Sequence, residues 1–177
     1  MKKILLGLIA ILVIATGVLF GINGKSNYDS KKYSLTITPK NKHFGTGSSI
    51  KYILPDQFNK VHKLSTTAKK MIFAFTKDTG HIVTTFMLKK PKNFLSKHNA
   101  VIVSDISGMP VIIRNTFALP DLRKSNYPMM LIYDKKMAKQ LKEGQKDNMV
   151  VVMTLDDEKV TQVEYANSKG ALAKLLK

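Results

Sequence analysis

Three short apolar runs, Met71–Phe75, Ala100–Val103 and Met129–Tyr133, constrain the fold of this chain more than anything else in it. Each is nearly continuous rather than alternating, which is the pattern of a strand covered on both faces. Between the first two, Lys77-Asp78-Thr79-Gly80 reads as a turn and His81–Leu95 as helical, although Val83, Thr84, Thr85 and Phe86 are poor helix formers. Between the second and third, Pro110 opens a helix that runs to about Ala118. The last third continues with a short basic helix or turn within 134–145 and a strand over Met149–Leu155. The acidic turn Asp156-Asp157-Glu158-Lys159 and a hairpin partner over Val160–Tyr165 follow. Ser168 then caps a final helix whose Ala171, Leu172, Leu175 and Leu176 share one side. The expected class is α/β, with a parallel part from two helical crossovers and an antiparallel part from the hairpin.

Upstream of this core, Tyr33–Thr38 and Ser49–Leu54 read as strands, and Asp56–Lys60 as a turn leading into Val61–Leu64. Gly24–Lys32 is polar and without period. The first 22 residues follow a different logic, since Lys2-Lys3 precedes Ile4–Ile22, an uncharged and mostly apolar run of 19 residues. That combination reads as a secretory signal peptide or an N-terminal membrane anchor. Ala15 and Gly17 favour cleavage, while Val18–Ile22 lengthens the run towards a span, so both readings stand. The expected organisation is signal or anchor over 1–22, a flexible tether over 23–32 and one domain over 33–177. The expected location is periplasmic or otherwise extracytoplasmic, secreted or held in the inner membrane.

Composition removes whole classes of chemistry. The 177 residues include no cysteine, which excludes disulfide staples, thiolate metal sites, lipoprotein acylation and thiol catalysis. The formal charge is +17 and unevenly spread: residues 22–104 hold 15 basic against 3 acidic side chains, and 105–177 hold 12 against 9. Such a field attracts anionic lipid or acidic polymers. Nucleic acid is disfavoured for an exported chain whose positive charge is nearly all lysine, with Arg114 and Arg123 alone able to form forked contacts.

The order of elements, together with Tyr127-Pro128-Met129-Met130-Leu131-Ile132-Tyr133-Asp134, resembles the thioredoxin-like superfamily. The resemblance covers about residues 50–177. Residues 33–64 look like the N-terminal strand extension of exported thioredoxin-like and peroxiredoxin-like proteins. It implies a sandwich with a central mixed sheet of four strands flanked by helices. It also implies that Pro128 is the cis-proline preceding the central antiparallel strand, and that a groove near 78–81 and 127–128 accepts an extended polypeptide beside Tyr127. Where the family carries paired cysteines, this chain reads Phe75-Thr76-Lys77-Asp78-Thr79-Gly80-His81. Disulfide exchange proceeds by attack of sulfur on sulfur, so the resemblance implies a redox-inactive member.

The candidate ligand-binding residues are therefore Asp78, Thr79, His81, Asp105, Tyr127 and Pro128. Asp78 and His81, three apart at a helix start, form a possible carboxylate–imidazole pair, with Asp78 as a plain helix cap the simpler reading. Asp105 follows a core strand, at the carboxyl end where open sheets collect ligands. Lys89, Lys90, Lys92 and Lys97 form the densest basic patch and the candidate anionic-surface site. His43, His62, His81 and His98 share no local metal spacing, and the nine methionines read as core filling. No metal, cofactor or catalytic residue is assigned. The expected function is a binding or structural module of the cell envelope with an envelope protein or anionic membrane surface as partner. The alternative is a metal or small-ligand binder, or a non-thiol enzyme, built on Asp78 and His81.

Overall fold

The computed structural model describes residue 21 and residues 24–26, 28–39 and 43–176. The run Ile4–Ile22, with the signal or anchor reading placed on it, lies outside the described residues apart from Gly21. No helix among the described residues is long and apolar enough to cross a membrane. The described residues fall into two units: those up to Tyr28 with Met109–Lys124, and Asp29–Gly108 with the chain from Ser125 onward.

The larger unit holds one sheet of eight strands: β1 (Ser34–Thr38), β2 (Ser49–Pro55), β3 (Val61–Lys63), β4 (Lys70–Ala74), β5 (Ala100–Asp105), β6 (Met130–Ile132), β7 (Val150–Asp156) and β8 (Lys159–Ala166). Their lateral order is β1-β2-β8-β7-β4-β5-β6, with β3 also paired to β2. The helices of this unit are α1 (Lys77–Met87), α2 (Phe94–Lys97), α4 (Lys135–Lys142) and α5 (Lys169–Leu175); α3, described below, belongs to the smaller unit. The extra N-terminal strands are thus part of the same sheet, joined to it where Ser49 pairs with Lys159.

The continuous apolar runs have the expected cause. In β4 the side chains of Met71 and Phe73 enter a cluster with Val103, Met130, Ile132, Val151 and Met153, closed by Ala138 and Leu141 of α4. Ile72, Ala74, Ile102, Leu131 and Val152 are equally buried but alternate to the opposite face, where α1 packs with α5 against β4 and β7. Each such side chain contributes roughly 1.5–3 kcal/mol when fully buried. The acidic hairpin also forms as read: Asp157 and Glu158 both take positive φ, 44° and 62°, between the paired Asp156 and Lys159. Two consecutive left-handed residues match the twist of the strands they join.

Two expectations are corrected. Helix α1 begins at Lys77, not after Gly80, and ends at Met87; a separate short helix follows only at Phe94. The β-branched residues lower its intrinsic propensity, but Val83, Phe86 and Met87 are buried, and packing of that face prevails. The strand at 130–132 is parallel to β5, which is parallel to β4, so it is not the central antiparallel strand. That place is taken by β7, antiparallel to β4 through Met71↔Met153. Pro128 is trans, the one cis peptide among the described residues being Thr38–Pro39. Residues 106–129 are long enough for the crossover that a parallel return requires.

In the smaller unit, α3 runs through Val111–Ile113, a π-helical stretch Arg114–Ala118 and Leu119–Leu122. Its Arg114 guanidinium donates to the Ser26 hydroxyl at 3.0 Å, and the Asn115 amide donates to the Lys25 carbonyl at 2.8 Å. Part of the stretch expected to be a tether is therefore hydrogen-bonded to a helix.

Gly144, just past the end of α4, has φ +81°, and a Cβ placed on it would lie 2.9 Å from the Cβ of His43. Gly144→Ala is expected to lower stability by about 1–2 kcal/mol, from the left-handed backbone and the contact together. Urea unfolding of the two proteins measures it; an unchanged midpoint contradicts the turn as described.

Candidate functional site

Because β4, β5 and β6 run the same way, their carboxyl ends share one edge of the sheet. Three segments leave the sheet there: Phe75–His81 into α1, Ile106–Gly108 after β5, and Tyr133–Lys142 into α4. Open parallel sheets gather their ligands at this edge.

At the start of α1, Thr76 is extended and caps the helix, its hydroxyl accepting from the Thr79 amide at 3.3 Å. The Thr79 hydroxyl accepts from the Thr76 amide at 2.9 Å and is within 3.0 Å of the Thr76 carbonyl, to which it donates. This is a reciprocal capping box built from two threonines. Thr79 is 1% exposed, so its oxygen is enclosed, bonded to the Thr76 backbone and 3.1 Å from the Thr76 hydroxyl. There is no cysteine sulfur at this position, and the Thr79 hydroxyl is engaged with Thr76. Asp78 is not the cap but a first-turn residue, placed where the helix dipole favours a negative charge. Asp78 and His81 are both exposed, and no hydrogen bond or ion pair joins them.

After β5, the Asp105 carboxylate accepts from the Ser107 amide at 2.9 Å and from its hydroxyl at 2.6 Å, which folds 105–108 into a tight turn. After β6, Asp134 caps α4, accepting from the amides of Lys136 at 2.7 Å and Met137 at 3.0 Å. Helix α4 buries Ala138 and Leu141, which leaves Lys135, Lys139 and Lys142 at i, i+4 and i+7 on its other side. These three lysines, with Asp105, Ser107, Gly108 and Glu143, line an open cleft of about 450 Å³. Asp105 is half-buried and tied to Ser107, whereas the three lysines are exposed. The cleft therefore sets the three exposed lysines beside the carboxylates of Asp105 and Glu143, a mixed lining in which the cations are in excess, and that excess favours an anionic group.

The remaining sequence-predicted residues lie elsewhere. Tyr127 and Pro128 precede β6, towards the edge where β4 and β5 begin, and so the structure does not bring them together with Asp78 and His81. Tyr127 is buried, which pushes its phenol above the usual tyrosine range against a smaller opposing effect from a Ser125 hydrogen bond. Buried Gln57 brackets the proline, donating to the Tyr127 carbonyl at 2.8 Å and accepting from the Met129 amide at 2.9 Å. Of the basic patch, Lys90 lies over the rings of Phe86 and Phe94, 4.4 and 4.8 Å from their centres; Lys89, Lys92 and Lys97 are exposed.

A buried aspartate pairs with an imidazole at Asp56–His62, which no local sequence pattern announces, and a second, exposed pair, His43–Glu143, stands at 3.8 Å. Asp56, 3% exposed, accepts from the amides of Phe58 at 2.8 Å and Lys60 at 2.9 Å, and its second oxygen lies 2.8 Å from His62 Nε2. The pair closes the β2–β3 hairpin, in which Leu54 faces His62. An aspartate heading the Asp56–Lys60 turn is half of the signal; the pairing register that returns His62 to it is the half that the sequence does not display. Among the described residues, no three histidine, aspartate or glutamate side chains converge to hold a metal ion.

No protein-family model matches the chain, and no curated protein matches it. Among solved structures it is similar to peroxidoxin BcpB from Mycobacterium tuberculosis, with 19% identity and a TM-score of 0.51 over 76% of this chain and 94% of that one. It is also similar to the pneumococcal exposed lipoprotein thioredoxin Etrx1 from Streptococcus pneumoniae, with 13% identity and a TM-score of 0.47 over 71% and 97% of the two chains. StoA from Bacillus subtilis aligns with 13% identity and a TM-score of 0.44 over 72% and 96%. At these identities the likeness is one of fold. The fold is thioredoxin-like, and the sequence that adopts it contains no cysteine.

Thr79→Ala removes the second half of the capping box and is expected to cost about 1–2 kcal/mol. His81→Ala, at an exposed position, is expected to stay within roughly 0.5 kcal/mol of the parent. Chemical denaturation of both variants checks the contrast, and equal losses would mean that the two side chains are not placed as described.

Proposed function

We propose that this protein is a redox-silent thioredoxin-like module of the cell envelope that acts by binding, with the lysine-walled cleft beyond β5 as its recognition site. The observation that carries the reading is the cleft itself. It brings Asp105, Ser107 and Gly108 from one strand end to Lys135, Lys139 and Lys142 from the helix after the next strand. It is open to solvent, with a volume of about 450 Å³, a shape that suits a few residues of a peptide laid on the surface. The partner that suits it carries clustered carboxylates, and the excess of lysine in residues 22–104 speeds the encounter.

The silent half of the reading rests on the start of α1. Thiol–disulfide exchange requires a thiolate, and two threonines occupied with each other replace it. The envelope location rests on Lys2-Lys3 followed by the 19-residue apolar run.

The test is capture of envelope proteins by the full chain in mild detergent, at low and high salt, beside a Lys135→Gln/Lys139→Gln/Lys142→Gln variant. Capture by the parent should fall steeply with salt, and the triple variant should associate roughly tenfold more slowly at low salt. Insulin reduction should stay at the uncatalysed rate. Equal capture by parent and variant removes the cleft from the account, and measurable insulin reduction removes the silence.

A further inference from the structure

We propose that α3 is an interfacial helix that lies on an anionic bilayer surface, beside the point where the chain leaves the apolar run Ile4–Ile22. The inference rests on the envelope-location reading above and adds to it a lipid-binding surface. Two observations meet here. The first is that α3 is fastened to the residues that follow the apolar run: Asn115 donates to the Lys25 carbonyl at 2.8 Å and Arg114 to the Ser26 hydroxyl at 3.0 Å. The second is that α3 exposes large apolar side chains at helical spacing, Phe117 at 63% and Ile113 at 46%, with Pro120 exposed one turn further on.

Chain geometry converts the first observation into a position. An uncharged run of 19 residues is sufficient to cross the hydrocarbon core, which takes about 20 residues as a helix. Lys25 follows Ile22 by three residues, and three residues reach at most ~11 Å. The headgroup layer beyond the hydrocarbon is itself roughly 5–8 Å deep. With that run retained as a membrane span, a helix hydrogen-bonded to Lys25 and Ser26 is held close to the headgroup layer. In that place exposed Ile113 and Phe117 are solvated by acyl chains and headgroups rather than by water.

Charge agrees with the placement. Across residues 24–28 and 109–124 the basic side chains are Lys25, Arg114, Arg123 and Lys124, and the one acid, Asp121, is paired with Lys124 at 3.0 Å. Of these, Lys25 and Arg123 are exposed whereas Arg114 is buried, so the attraction to anionic headgroups falls to Lys25 and Arg123. Two apolar side chains bind a bilayer weakly on their own, but a surface tethered next to the lipid by its own chain works at high effective concentration.

The absence of cysteine makes the experiment clean, because one introduced cysteine is the only site for a thiol-reactive probe. The full chain, as Ile113→Cys carrying an environment-sensitive fluorophore, is reconstituted in 3:1 phosphatidylcholine–phosphatidylglycerol vesicles. Flotation reports whether the chain is held by lipid, and quenching by spin-labelled lipid reports whether position 113 touches it. The proposal expects co-flotation and quenching by a label near the headgroup, reduced roughly three- to tenfold when Phe117→Asp is added. Phe117→Ser is the milder second variant, and circular dichroism verifies that both fold.

Co-flotation without quenching overturns the interfacial helix and leaves the envelope location standing. Failure to float overturns the retained membrane anchor and the helix placement with it. Quenching that neither Phe117 variant reduces shows that the apolar stripe is not the contact, and overturns the proposal. Shielding of the probe that requires added envelope protein assigns the stripe to a protein partner instead, and overturns it too.

Discussion

Strand β4 is hydrogen-bonded to a parallel neighbour on one side and an antiparallel one on the other, and it is buried on both faces. The other placements in the larger unit follow from that position. Parallel pairing with β5 puts the exits from both strands on one edge, and the parallel return of β6 adds the start of α4 to the same edge. Antiparallel pairing with β7 brings the beginning of that strand to this edge as well, since continuing the Phe73↔Val151 register two residues sets Phe75 opposite Met149. An edge that receives four segments is a natural place for binding. The chemistry found there depends on which side chains those segments carry.

Here they carry no sulfur of cysteine. The helix start that would hold a reactive group is closed by two threonines, each using its hydroxyl on the backbone of the other, with Thr79 enclosed. A capping interaction of this kind stabilises the helix. The positive charge sits one segment away, on α4, whose buried face fixes the direction of its lysines. The helix cap and the clustered lysines thus lie on different segments of one edge.

The strands are legible because a strand buried on both faces writes its whole length in apolar residues, as in Met71–Phe75 and Ala100–Val103. The hairpin is legible because Asp157 and Glu158 fill a two-residue turn between an apolar run and an alternating one. Strand direction is not written locally, and so Pro128 resembles a residue whose role belongs to the segment before β7. Gly80 reads as a turn because glycine usually breaks a helix, whereas Thr76 and Thr79 have already started one. The cleft is half legible. Asp105 stands out at a strand end, but Lys135, Lys139 and Lys142 look like any solvated helix face until the topology sets them beside it. Asp56 and His62 meet only through a pairing register that no local pattern contains.

The central claim is that recognition lies not at the start of α1 but in the lysine-walled cleft. Amide chemical-shift mapping of the full chain in detergent micelles, titrated with a glutamate-rich hexapeptide, tests it most directly. The account predicts saturable shifts concentrated at Asp105–Gly108 and Lys135–Glu143 that fade with salt, and little change at Thr76–His81. Shifts centred on Thr76–His81, with the cleft amides unmoved, would contradict it.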